Sequence, residues 1–198
     1  MTTATRQRSE TAEQILDLAE TLIQTRGYSA FSYQDIADAL GIRKASIHYH
    51  FPSKTDLGVA VIDRYIARFD AALNQIAANQ TQSSMAMLDF YVQPYLLFAG
   101  TPDRVCLSAA LAGEMLALPP EIREKVEYFF RAHQAWLTKI LQRGTAHGEF
   151  ELQAPAPKVA RMMFGALQGA LLVKRATGDI SQINDVIAVI KLQLAARP

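Results

Sequence analysis

From Ile15 onward, apolar residues return every three or four positions, and glycine and proline fall between such stretches instead of between short alternating runs. That spacing fits the helical repeat of about 3.6 residues and not the two-residue repeat of a strand, so the chain is restricted to an all-α fold. Half of its 198 residues are hydrophobic and 20% are charged, the balance of a chain that folds around a core. That length holds a small N-terminal module, 1–53, followed by a larger helical body, 54–198.

The spacing predicts nine helices, at about 10–26, 33–40, 44–50, 54–78, 84–99, 103–117, 120–144, 157–176 and 181–196. Ser32 before Tyr33-Gln34-Asp35 and Ser53 before Lys54-Thr55-Asp56 both have the hydroxyl-then-acid spacing of a capping box. Gly27 closes the first helix and Gly41 supplies a tight turn between the second and third. Pro94 falls inside the fifth helix, where its missing N–H and its ring predict a kink.

Between Tyr33 and Phe51 the pattern sharpens. Ile36, Ala37 and Leu40 form one face of the second helix, while Ile47 and Phe51 face back from the third. This is the layout of a helix-turn-helix, whose second helix enters the major groove, although plain helical hairpins share the spacing. With Ile47 and Phe51 inward, a step of about 100° per residue turns Ala45 and Tyr49 outward, flanked by Lys44 and His48 on one side and Ser46 and His50 on the other. A net charge of only +1 makes the argument depend on local placement, and from Arg43 to Lys54 there are three cations, two histidines and no acid. Lys44, Tyr49, His50 and Lys54 are suited to phosphates, and Arg43, Ala45, Ser46 and His48 to base edges. Ser32 and Tyr33, opening the second helix, complete the candidate DNA-contacting set.

The run Phe31-Ser32-Tyr33-Gln34-Asp35-Ile36-Ala37, then Gly41 through Lys54, resembles the N-terminal signature of the TetR/AcrR family of transcriptional regulators. The resemblance covers roughly residues 10 to 58, with Ala45 where the family often has glycine and His48 where tyrosine is common. It implies a homodimer that grips palindromic operator DNA through a three-helix end and is released by a small molecule bound among the C-terminal helices. Release then follows from a shift of the fourth, fifth and sixth helices when the effector prefers the non-binding conformer.

The effector-binding candidates are Phe90, Tyr91, Tyr95, Phe98, Met115, Phe130, His133, Trp136 and Phe164, apolar and aromatic residues with a few polar tips on helices five to eight. Most such residues in any helical body are simply core. Cys106, expected at the start of the sixth helix after Arg104, joins them as a thiol whose thiolate the helix dipole stabilises, the alternative being a buried structural cysteine. Its surroundings are similar to those in an electrophile- and oxidant-sensing branch of the family, which implies Lys174 as its neighbour. Gly165, Gly169 and Leu172 on the eighth helix and Ile183, Val186, Ile187 and Ile190 on the ninth are the expected dimer interface.

No nucleophile elbow, phosphate loop or dinucleotide fingerprint is present, which argues against an enzyme and leaves no cofactor to predict. His48 and His50 lie two apart, on different sides of a helix, and with one cysteine they do not complete a zinc set. A start lacking an apolar secretory segment, no membrane-length apolar run and a lone thiol read as a cytoplasmic protein. The alternative reading is a helical small-molecule carrier without DNA function.

Overall fold

A computed structural model describes residues 3–79 and 81–195, with side chains described from Glu10 onward. Among the described residues there are nine helices: α1 Thr3–Arg26, α2 Tyr33–Leu40, α3 Lys44–His50, α4 Lys54–Ala78, α5 Ser84–Ala99, α6 Leu107–Ala112, α7 Pro120–Ala146, α8 Ala156–Thr177 and α9 Ser181–Leu194. The sole extended pairing among them is an isolated bridge between Phe150 and Ala195. Position 196, the expected end of the ninth helix, lies outside the described residues.

Packing divides the chain into two compact units, whose boundaries fall inside α4, at the start of α6 and inside α7. The first contains residues 1–67 and 107–127. Ile15, Ala19 and Ile23 of α1 are buried with Ile36 of α2, Ile47 of α3, Leu57 and Val61 of α4, and Leu107, Leu111 and Ile122. Arg64 reaches from α4 across one side of α1, its guanidinium 2.8 Å from Glu13, 2.8 Å from Asp17 and 3.3 Å from Glu20. These are charge-assisted contacts that set the pitch of α4 on α1.

The second unit contains residues 68–106 and 128–198. Its core is built from Met87, Leu88 and Tyr91 of α5, Phe129, Leu137 and Leu141 of α7, Met163, Phe164 and Leu167 of α8, and Ile183, Ile187 and Ile190 of α9. Glu149, in the turn after α7, caps α5, accepting from the Ser84 backbone at 2.7 Å and the Ser84 hydroxyl at 3.0 Å. An acid there satisfies free amides and suits the positive end of the helix. α5 stays helical through Pro94, although that residue has no hydrogen for the Phe90 carbonyl.

One helix is shorter than its spacing predicts. The sixth was expected over 103–117, yet only Leu107–Ala112 is helical, and the next residues tighten into i→i+3 turns, Glu114 N–H to Leu111 O at 2.9 Å and Ala117 N–H to Glu114 O at 2.8 Å. Gly113 weakens the helix at that point, and Leu116 stands fully in solvent with nothing to pack against. No helix among the described residues is long and apolar enough to cross a membrane.

Candidate nucleic-acid interface and effector region

The first candidate site is built by two capped helix starts and one glycine turn. At α2, the Asp35 carboxylate accepts from the Ser32 backbone at 2.7 Å and the Ser32 hydroxyl at 2.6 Å. At α4, Asp56 accepts from the Ser53 backbone at 2.9 Å while the Asp56 amide donates to the Ser53 hydroxyl at 3.1 Å. Between them Gly41 sits at φ 65°, the left-handed region where a side chain would be strained, and its amide donates to Ala37 O. These local devices leave α3 short and fixed, with Ile47 and Phe51 buried beneath it.

The outward face follows the expected rotation. Arg43, Lys44, Ala45, His48 and Tyr49 are exposed and Ser46 and His50 are half-buried. Tyr49 is 63% exposed, with its ring against that of His50. His48 is held by its Nδ1, 3.1 Å from the Pro52 carbonyl, and by the ring of Tyr33 at 4.8 Å. A proton on Nδ1 leaves Nε2 as an acceptor facing out.

Three of the expected DNA-contacting residues have other work. Tyr33 is buried and its hydroxyl lies 2.8 Å from the Phe51 carbonyl and 2.6 Å from that of Ser53, so it ties α2 to the exit of α3 and has no donor left for a phosphate. Burial pushes its phenol up to about 12, keeping that donor in place. The Ser32 hydroxyl is committed to Asp35. Lys54 donates to the Phe31 carbonyl and lies 4.8 Å from the Tyr28 ring centre and 4.4 Å from that of Phe31. Desolvation lowers its pKa, against the opposing pull of Glu114 and Asp35. Lys54 therefore keeps two of its three hydrogens for a phosphate, while Asp56 occupies part of the helix start that was expected to share it.

The second candidate site lies within the other unit. Tyr91 stacks on Trp136 with ring centres 5.3 Å apart, and His133 sits 4.0 Å from Phe129 and 5.8 Å from Phe164, which in turn meets Phe130 at 5.3 Å. A polar chain runs through this aromatic wall. Gln168 donates to the Tyr95 hydroxyl at 3.1 Å, Tyr95 bonds Tyr91, and the Tyr91 hydroxyl meets His133 Nδ1 at 3.1 Å. Burial lowers the His133 pKa to about 4, so the ring is neutral at pH 7. With Nδ1 assigned as the acceptor, the proton is on Nε2, and neither that atom nor Gln168 Oε1 has a partner among the described side chains. The chain thus ends in an unused donor on one side and an unused acceptor on the other.

Not all expected effector residues join this cluster. Phe90 is 56% exposed because it lies on the opposite side of α5 from Tyr91 and Tyr95. Met115 belongs to the first unit. Cys106 is buried at 3% exposure, just before α6 instead of within it, and a six-residue helix offers little dipole. Lys174 is buried too, but its ammonium donates to the carbonyls of Phe98 at 3.3 Å, Thr101, and Pro102 at 3.0 Å, tying down the end of α5. Lys174 is a helix-end clasp, and Phe98 contributes its carbonyl to that clasp. Gln168 was missed, its signal being a polar residue one turn beyond Phe164 on the buried face of α8.

The expected dimer residues also divide. Gly165 and Leu172 lie exposed and Gly169 half-buried on the outer face of α8. Ile183, Ile187 and Ile190 are core of the protomer, which corrects their assignment to an interface, and Val186 is half-buried. The uncovered apolar residues of these helices are Met162, Leu172, Val173, Val189 and Leu192, the last 77% exposed. Beside them a groove of about 780 Å³ runs between the start of α8 and the end of α9, lined by Val159, Met162, Ile190 and Leu192 among others. No group of three His, Cys, Asp or Glu among the described residues is placed to hold a metal.

Comparison with known proteins gives two family matches, the tetR family of bacterial regulatory proteins over residues 15–61 and the tetracyclin repressor-like C-terminal domain over residues 86–190. A solved TetR-family regulator from Agrobacterium tumefaciens is 33% identical, with a TM-score of 0.90 over 96% of this chain and 100% of the other. A TetR regulator from Legionella pneumophila is 34% identical, with a TM-score of 0.83 over 92% of this chain and 96% of that one. The HTH-type transcriptional repressor NemR of Escherichia coli is 22% identical over 185 residues, 92% of each chain.

Proposed function

This chain belongs to the TetR family of bacterial regulatory proteins, and we propose that it is a repressor that holds a palindromic operator as a homodimer until an effector acts on its C-terminal helices. The carrying observation is the exposed face of α3, where Arg43, Lys44, Ala45, His48 and Tyr49 stand out over buried Ile47 and Phe51 with no acid among them. A solvated helix with no ligand to meet has no need of such a run pinned by two caps and a glycine turn. Residues 1–53 act as the DNA-binding part and 54–198 as the effector-binding and dimerisation part.

In this reading Lys44, Tyr49 and His50 hold phosphates and Arg43, Ala45, Ser46 and His48 meet base edges, with Lys54 contributing charge from the start of α4. The dimer pairs the outer faces of α8 and α9, through Met162, Gly165, Gly169, Leu172, Val189 and Leu192. Two-fold pairing then sets recognition helices about one helical turn of DNA apart, roughly 34–36 Å.

The effector is a small molecule with an apolar body and an acceptor–donor pair, because the cluster around His133 ends in an unused N–H and an unused amide oxygen. A second reading is thiol modification: Cys106 is the protein's single cysteine and lies within electrostatic reach of Tyr91. Addition of its thiolate to the β-carbon of an α,β-unsaturated carbonyl forms a C–S bond, with a proton delivered to the α-carbon. Either event works only by favouring the conformer that binds DNA less well, and a coupling of about 1–3 kcal/mol lowers operator affinity roughly 5- to 150-fold.

The test is a mobility-shift assay on the region upstream of the chain's own gene, with wild type and Cys106→Ser, before and after treatment with N-ethylmaleimide. Retarded bands for both proteins, with release of wild type alone, support repression with thiol sensing. Release of neither leaves the non-covalent route, and no band from any upstream duplex contradicts the whole reading.

A further inference from the structure

The turn that follows α1 is held by a carboxylate from 86 residues further along the chain. Glu114, in the tight turns after α6, accepts a hydrogen bond from the Tyr28 amide at 2.6 Å and another from the Ser29 amide at 2.9 Å. Gly27, at φ 99°, makes room for it, since a Cβ there would collide with Glu114 Oε1. The fit is therefore specific to glycine at one position and to a long acid at the other.

What the clasp holds in place is the entrance to the recognition helix. Tyr28 is buried, its hydroxyl bonds Thr55 in the first turn of α4, and its ring carries the Lys54 ammonium. Lys54 in turn donates to Phe31 O, one residue before the cap of α2. The Glu114 charge also favours the ammonium form of Lys54. Both flanks of the helix-turn-helix, the start of α2 and the start of α4, are thus referred to one turn that Glu114 fixes. Glu114 is eight residues from the buried thiol Cys106, with α6 between them.

We propose that Glu114 is a positioning residue for operator binding: it touches no DNA, but sets where α3 is presented by clamping the Tyr28–Ser29 amides from the segment that follows α6. The proposal rests on the operator-binding reading given above. Movement of the α6 segment would loosen this clamp and so carry a signal through Tyr28 to the starts of α2 and α4.

The test uses the full chain, with Glu114→Ala, Glu114→Gln and, as a control for lost charge, the exposed Glu124→Ala. Fluorescence anisotropy at fixed salt measures affinity for operator and for random duplex, and amide hydrogen exchange is followed at Tyr28 and Ser29. Loss of two charge-assisted bonds predicts a drop in operator affinity of about ten-fold or more for Glu114→Ala. Random-duplex affinity should stay within about two-fold, since the phosphate contacts survive. Exchange at Tyr28 and Ser29 should accelerate in Glu114→Ala, and Glu114→Gln, which keeps one acceptor oxygen, should fall between. Glu124→Ala should match wild type.

Unchanged exchange at those two amides in Glu114→Ala overturns the proposal, as does operator affinity within two-fold of wild type. An equal loss on operator and random duplex overturns it as well, because that marks general unfolding or charge loss. If wild type itself fails to prefer operator, the operator-binding reading falls, and the exchange result still decides separately whether Glu114 clamps the turn. Should Glu114→Ala lose its helical circular dichroism, Glu114→Gln carries the same comparison.

Discussion

The head and the body of this protein are built on different principles, and the contrast explains what each can do. Around α3, the exposed edge is short and rests mainly on nearby residues, Ser32–Asp35, Gly41, Tyr33 to the turn at Phe51, and Ser53–Asp56, with Glu114 reaching in from further along the chain. Around His133, the proposed effector site is enclosed, and its parts come from α5, α7 and α8, as much as 77 residues apart between Tyr91 and Gln168. An exposed edge suits a polymer with one repeating surface. An enclosed, incompletely satisfied polar chain suits a small molecule, whose shape the body alone has to define.

The largest effect should come from breaking the support under the edge. Ile47 is fully buried beneath α3, so Ile47→Ala should cost about 2–5 kcal/mol in urea unfolding and abolish operator binding. A cost below about 1 kcal/mol would mean that α3 is not held from below.

The next sharpens the enclosed side of the comparison. His133 falls from its ordinary value of 6.5 to about 4 on folding, because burial penalises its charged form. Its folded pKa is depressed, so the unfolded chain binds more protons below pH 6.5, and the stability present above that pH is lost as pH falls towards 4. The loss should approach about 1.4 kcal/mol per pH unit within that window. His133→Phe should show a flatter stability profile between pH 6.5 and 4 than wild type. Identical profiles would show that the ring is solvated.

Smaller again is the removal of one phosphate contact. Lys44→Ala should weaken binding to operator and random duplex alike, about ten-fold at low salt, and reduce the salt slope by roughly one, with no change in melting temperature. The smallest is Asp56→Ala, which removes one side of the α4 cap and should cost about 1 kcal/mol in thermal unfolding. If Asp56→Ala were silent, the head would not depend on its local devices as described.

The same contrast governs how much can be read from the chain itself. The bounds of α2 and α3, the capping acids and the left-handed glycine at 41 are legible because cause and effect lie within four residues of each other. The rotation that exposes Tyr49 opposite Ile47 is legible for the same reason. On α9, apolar residues surround the helix, from Ile183 to Val189, Ile190 and Leu192, so periodicity does not say which stripe packs within the protomer and which is left for a partner. The resemblance implies Lys174 as a neighbour of the thiol, and nothing near it in the chain reveals the three carbonyls it serves. Glu114 stands in the sequence only as part of the pattern that follows Cys106, and its clamp on the turn after α1 is not legible there because its partners are 85 and 86 residues away.

The central claim is that the outward edge of α3 selects DNA sequence. Its most direct test is a titration of the wild-type protein, at one fixed salt concentration, with the best duplex from its own upstream region and with a scrambled duplex of the same composition. The account predicts operator affinity at least about a thousand-fold above scrambled. Equal affinities for the two duplexes would contradict it.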